Sequence, residues 1–224
     1  MKPFLSKETV AMVAAKELRP GECVNIGTGI PSLIPAYIPQ EVDVIFHSEI
    51  GAIGFKRVLT DSEADLIDYS YTLAGGQFTL PAPGMSFVDH CVSFIVITGG
   101  RLDLSIMGAL EVSEGGDLAN WTTDFDGKTG GIGGSMDLAV GSRRLVVLMT
   151  HVTKERAPKI VKKCRYPLTA KECVDRIITD AAVIDVTTRG LMLKQLAPGW
   201  TIDEIQEITE PRLLIADDIS EMTL

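Results

Sequence analysis

Metal and thiol chemistry find little footing in this chain. Its 224 residues hold three histidines, His47, His90 and His151, and four cysteines, Cys23, Cys91, Cys164 and Cys173. The histidines show no metal-ligand spacing and the cysteines form no CxxC pair, so no zinc or thiol-redox motif is present. Cys23 and Cys91 stand in apolar runs, where buried thiols are expected. Positive charge is also scarce. Lys and Arg number 21 against 30 Asp and Glu, a net charge of −9. Nucleic-acid binding needs clustered cations on phosphates, so this balance argues against it. The one dense basic run is Lys159–Arg165, either a solvated face or a contact for a few phosphates of a small ligand. Long membrane-spanning runs are missing too. Cys23–Gln40 and Tyr69–Val88 lack charge, but Pro and Gly interrupt both. The N-terminal stretch mixes Lys7, Glu8, Lys16 and Glu17 into an apolar pattern, the mark of an amphipathic helix and not of a signal peptide. A soluble protein of the reducing cytoplasm, with no membrane partner, is the expectation.

Hydrophobic residues make up 46% of the chain and charged residues 23%, an ordinary globular balance. No internal repeat, low-complexity tract or linker divides it, so one domain over residues 1–224 is predicted. Ser6–Leu18 reads as a helix with Ser6 as N-cap. Glu22–Ile26 and Val42–His47 read as strands, with Pro31 opening a helix between them through Tyr37. Phe94–Thr98 and Leu102–Met107 look like strands joined by a tight Gly99-Gly100 hairpin. Met136–Val140 suits a helix, Arg144–Met149 and Ala182–Val186 strands, Thr201–Ile208 a helix and Leu213–Ala216 a last strand. This alternation predicts an α/β fold: an open, mixed, mainly parallel sheet flanked by helices.

Four segments carry possible chemistry. Val42–Phe46 alternates like a strand and runs into His47-Ser48-Glu49-Ile50-Gly51. A carboxylate at the carboxyl end of a strand, in a glycine turn, lies where open α/β sheets bind ligands. Gly27-Thr28-Gly29 follows a strand and precedes a helix start, as anion-binding turns do, but Ser32 stands where a dinucleotide fingerprint needs its third glycine. Asp117–Trp121 has polar ends and an indole, fitting a structured loop or a buried Trp. Gly130-Gly131-Ile132-Gly133-Gly134 has four glycines in five residues, which suits either a hinge or close approach of backbone N–H groups to a ligand.

Together these segments resemble the B-type subunit of the family I CoA-transferases, the 3-oxoacid and 3-oxoadipate type. The resemblance runs over most of the chain and is densest in Asn25–Pro31, His47–Gly51, Gly99–Trp121, Gly130–Asp137 and Lys159–Val186. The family reads Ser-Glu-Asn-Gly around its nucleophilic glutamate, and this chain reads Ser48-Glu49-Ile50-Gly51. It also departs over Phe55–Val58 and on through Pro83, which should border the substrate pocket. The resemblance implies Glu49 as nucleophile in covalent, ping-pong catalysis. It further implies Gly134, Gly133 and Asn25 around the oxyanion and substrate, and Gly131, Lys162 and Lys163 toward coenzyme A. Coenzyme A is then a substrate, with no resident cofactor or metal, and an A-type subunit completes a hetero-oligomer. Three other readings stay open: a related acyl-CoA hydrolase or lyase, motivated by Ile50; a non-catalytic CoA-binding subunit; and a Rossmann-type dehydrogenase, weakened by the missing glycine. His47 shares a strand face with Glu49 and is read as a structural residue.

Overall fold

The computed structural model describes residues 2–39, 41–126 and 128–224. Its strands, in chain order, are β1 Cys23–Ile26, β2 Ile45–His47, β3 Ala52–Phe55, β4 Thr72–Leu73, β5 Gln77–Phe78, β6 Ser86–Phe87, β7 Leu104–Gly108, β8 Glu111–Ser113, β9 Leu118–Ala119, β10 Leu145–Met149, β11 Ile160–Val161, β12 Arg176–Thr179, β13 Ala182–Thr187, β14 Gly190–Leu196 and β15 Leu214–Glu221. The α-helices are α1 Lys7–Ala15, α2 His90–Thr98, α3 Ser135–Gly141 and α4 Ile202–Glu207.

Ten strands form one sheet in the order β15-β14-β13-β12-β10-β7-β1-β2-β3-β6. The central five, β2-β1-β7-β10-β12, are mutually parallel. Antiparallel pairs flank them on both sides, β12 with β13 and β14 beyond, β2 with β3 and β6 beyond. Parallel strands are buried on both faces and read as unbroken apolar runs. Leu145–Met149 is such a run, and all five of its residues are buried. Side sheets β11-β8-β9 and β4-β5 complete the architecture.

Local chemistry explains the helix ends. The Ser6 side chain accepts from the Thr9 N–H, capping α1. Thr201 and Glu204 form a reciprocal capping box at α4. The segment opened by Pro31 is a 3₁₀ helix, Ile30–Tyr37, and Pro35 lies inside it, denying the backbone donor an α-helix would use.

Two expectations are overturned around α2. Phe94–Thr98 is the second half of α2, so no Gly99-Gly100 hairpin leads into β7. The run Val92–Thr98 is rich in β-branched residues, which imitates a strand. Asp89 decides otherwise: its carboxylate accepts from the Cys91 N–H and caps a helix. Ser93 and Ile97, four apart, then face the core, while Val92 and Ile95 face outward. Cys91, in the first turn of α2, is exposed and not buried. The sheet is mixed because of its flanking strands. Among the described helices none is long and apolar enough to cross a membrane.

Candidate active site

Because β1, β2, β7 and β10 run parallel in close register, their carboxyl ends share one edge. Asn25 pairs with His47, Ile26 with Ile106, and Gly108 with Leu148. The loops leaving those ends converge there, the position where open sheets bind ligands.

Glu49 sits in the first of these loops. Strand β2 stops at His47, and the chain reverses through a turn in which the Gly51 N–H donates to the Ser48 carbonyl. Gly51 has φ +114°, and a Cβ there would lie 2.1 Å from the Val88 carbonyl oxygen, so only glycine fits. The turn is also tied to its surroundings. The Val88 N–H donates to the Gly51 carbonyl, the Ser48 N–H to that of Ala52, and the Ala74 N–H to Ser48 Oγ at 2.9 Å. Glu49 is thereby held on a rigid base with its side chain half-buried.

Beneath it lies a buried polar cluster. Asn25 Nδ2 donates to the His47 carbonyl and to His47 Nδ1, both at 3.1 Å. Accepting there leaves Nδ1 unprotonated, so His47 Nε2 carries the hydrogen and donates to Ser93 Oγ at 3.0 Å. Ser93 Oγ in turn reaches the Ser48 carbonyl at 3.5 Å. His47 is fully buried, and desolvation pushes its pKa down to about 4, keeping the ring neutral at physiological pH. The sequence marks His47 as structural, and the structure gives it the work of fixing the strand end that presents Glu49. Ser93 escapes sequence reasoning, because α2 imitates a strand.

The glycine loop before α3 closes over Glu49 from the opposite side. The Gly134 N–H points at Glu49 Oε1 at 3.4 Å. A Cβ on Gly134 would stand 2.9 Å from Glu49 Oε2 and 2.9 Å from Phe94 Cζ; one on Gly133 would stand 3.5 Å from Oε1. Gly133 has φ +53°, a left-handed conformation that glycine adopts without strain. The choice between hinge and close approach thus resolves to close approach: the carboxylate occupies space a side chain would need.

Glu49 borders a cavity of about 520 Å³, a size suited to a small ligand. Asn25, Gly131 and Gly133 also line it. So do Asn120 and Trp121 of the Asp117–Trp121 segment, anchored outside the cavity: Asn120 Oδ1 accepts from Thr169 Oγ1 and Trp121 Nε1 donates to the Leu168 carbonyl. Thr28, from the Gly27-Thr28-Gly29 turn, forms another wall with Ala74 and Gly75, which sequence reasoning does not single out. Lys162 and Lys163 follow β11, are exposed, and do not line this cavity. Asn25 borders the cavity, yet its amide hydrogens serve His47, leaving its carbonyl oxygen as the group for a ligand. No cluster of three or more His, Cys, Asp or Glu suited to a metal ion occurs among the described residues.

A carboxylate at a strand end, a backbone donor aimed at it, and a close-packed glycine loop suit covalent handling of an acyl group. Sequence comparison names the class: residues 7–207 match the coenzyme A transferase family model, and the chain belongs to that family. Within it, this is a B-type subunit of a CoA-transferase. It is 39% identical over 209 residues to the beta subunit of a probable coenzyme A transferase of Bacillus subtilis, covering 93% of this chain and 94% of the relative. It is 38% identical over 214 residues to the B-type subunit of 3-oxoadipate CoA-transferase of Acinetobacter baylyi, covering 95% and 96%. Among solved structures, an acyl-CoA transferase of Escherichia coli O157:H7 superposes with a TM-score of 0.77 at 21% identity; the match covers all of this chain and 44% of that one. The chain therefore spans less than half of that structure's length.

Proposed function

We propose that Glu49 is the nucleophile of a ping-pong CoA transfer that this chain performs with an A-type subunit. The supporting observation is the Glu49 carboxylate facing a cavity while the Gly134 N–H points at its Oε1 atom. In the first step the carboxylate attacks the thioester carbonyl, expelling coenzyme A thiolate and leaving an acyl-glutamyl anhydride. The thiolate then attacks the glutamyl carbonyl carbon; the first acid leaves and a glutamyl-CoA thioester remains. A second carboxylate reverses both steps and departs as its CoA ester. One hard exchange becomes several easier ones.

The geometry supports a role for Gly134 in the second step. When thiolate attacks the glutamyl carbonyl, negative charge grows on a Glu49 oxygen, where this N–H already points. Such a fixed donor contributes about 3 kcal/mol to transition-state stabilisation. Gly133 gives the loop its close approach, and Asn25 works through His47 and through its free carbonyl oxygen. Gly131, on the cavity wall, and the exposed Lys162 and Lys163 are assigned to coenzyme A, the lysines as solvent-facing partners for its phosphates. Coenzyme A enters as substrate, and these steps call for no metal or prosthetic group. Relatives named as B or beta subunits support the reading of an A-type partner.

The test is acceptor dependence. The complex with its A-type subunit, given an acyl-CoA, should consume it rapidly only when a second carboxylic acid is present. Equal release of coenzyme A with and without the acid would establish a hydrolase instead.

A further inference from the structure

The loop between Trp121 and Gly131 presents an aromatic ring that the steps above do not use. Phe125 is 67% exposed, yet its ring is stacked on Tyr166, with centroids 5.2 Å apart and planes 21° from parallel. Both rings stand on fixed supports. Thr122 Oγ1 accepts from the Asp124 N–H, and the Asp124 carboxylate accepts from the Thr129 N–H and hydroxyl, closing the loop that carries Phe125. Tyr166 follows Arg165, whose backbone N–H and guanidinium Nε each donate to the buried Glu111 carboxylate at 2.7 Å. The loop also begins and ends at the Glu49 cavity. Trp121 and Gly131 line it, and a Cβ on Gly130 would stand 2.8 Å from the Trp121 carbonyl oxygen. Phe125 is four residues from Trp121, which keeps it within about 14 Å of that wall even with the chain extended. On the Tyr166 side the chain leads back to the exposed Arg165, Lys163 and Lys162.

We propose that Phe125, backed by Tyr166, is a stacking platform for the adenine ring of coenzyme A. The inference rests on the proposed coenzyme A chemistry and adds the nucleotide end of the substrate to it. Coenzyme A carries its sulfur and its adenine at opposite ends of a flexible arm, so a thioester at Glu49 sends the base out of the cavity. A purine offers a flat π-face, and an aromatic ring already held by a neighbour loses little freedom in covering it. The phosphates beside the adenosine then fall to Lys162, Lys163 and Arg165, surface cations of the kind that bind phosphate. Asp124 and Asp126 flank Phe125, but the former turns to the loop's own donors and the latter pairs with Lys128 at 2.9 Å, which limits their repulsion of phosphate.

The test uses the complex with its A-type subunit and desulfo-coenzyme A, an unreactive ligand that binds without any step at Glu49. Phe125→Ala should weaken its Kd about tenfold in titration calorimetry, the scale of one base–aromatic stack, while Phe125→Trp should hold it near the parental value. Donor kinetics separate the base from the arm. One donor is an acyl-CoA that the complex turns over; the other is the pantetheine thioester of the same acid, which lacks the nucleotide. Phe125→Ala should lower kcat/KM about tenfold for the first and leave the second unchanged. Unaltered affinity for desulfo-coenzyme A, or equal losses on both thioesters, would overturn the inference and leave Glu49 as the proposed nucleophile. Failure of Phe125→Ala to assemble with the A-type subunit would overturn it too, by placing Phe125 in the subunit interface. A parental complex that binds no desulfo-coenzyme A removes the coenzyme A reading and this inference together.

Discussion

Two buried histidines stand at the same edge of the sheet and do different work. His47 ends β2, and His151 comes two residues after β10. Both are fully buried, and both have each ring nitrogen hydrogen-bonded. Burial holds both neutral, His47 at about 4 and His151, where Lys159 adds repulsion, at about 3. The partners differ in what they lead to. His151 meets the hydroxyls of Thr179 and Thr209 at 2.9 and 2.8 Å, tying β12 to the segment after α4. His47 meets Asn25 and Ser93, and two residues later the chain delivers Glu49 to the cavity. One device, a neutral imidazole that staples a strand end, is structural in one loop and positions the proposed nucleophile in the other. The chemistry resides in the residues beyond the staple.

The largest expected effect comes from removing the proposed nucleophile. Glu49→Gln should lower kcat by about 10⁴-fold or more, as loss of covalent nucleophiles does. The thermal midpoint should stay within about 2 °C of the parent, because the side chain is half-buried and makes one long hydrogen bond, worth well under about 1 kcal/mol. Parental turnover in this variant would assign the chemistry elsewhere.

Next comes the loop above it. Gly134→Ala places a Cβ against Glu49 and Phe94, and displacement of the carboxylate by a fraction of an ångström should reduce kcat about 10²-fold. Steady-state kinetics with unchanged far-ultraviolet circular dichroism would check this; full activity would show that the loop yields freely.

Pairing His47→Ala with His151→Ala tests the comparison directly. Each opens a buried cavity and orphans two partners, so each should lose about 2–4 kcal/mol in urea unfolding. Activity per folded molecule should fall about tenfold for the first and remain near parental for the second. Equal kinetic losses would mean that His47 has no special link to Glu49.

Acidification touches both histidines without altering either residue. Unfolded imidazoles bind protons near pH 6.5, while these two bind only near 4 and 3 once folded. Their stability contribution is complete above pH 6.5 and is lost as pH falls toward the folded values. For His47 the loss between pH 6.5 and 4 is about 3 kcal/mol. The decline in urea midpoint over this range should shrink in His47→Ala, and a decline of parental size would reassign it to other groups.

Sequence reading succeeded where one local signal dominated. Ser6 before an apolar pattern located α1, the Leu145–Met149 run located a buried parallel strand, and Val42–Phe46 followed by glycine placed Glu49 at a strand end. It faltered where local signals agreed with two structures, as in Val92–Thr98, whose side chains favour a strand while Asp89 caps a helix. The short strands β3, β6, β8, β9 and β11 gave no pattern long enough to read, since two to four residues cannot display a period. The cavity wall was partly legible. Gly27–Gly29, Gly130–Gly134 and Asp117–Trp121 stood out by composition, whereas Ala74 and Gly75 reach the site only through tertiary folding. The Asn25–His47–Ser93 cluster joins residues 22 and 46 positions apart, and no spacing rule connects them.

The most direct test is peptide mass spectrometry on the complex with its A-type subunit, incubated with acyl-CoA donors and no acceptor. The peptide containing Glu49 should carry a coenzyme A adduct that disappears on adding a carboxylic acid and is absent in Glu49→Gln. An active complex that never modifies this peptide, or modifies another carboxylate, would contradict Glu49 as the group that carries coenzyme A between the two acids.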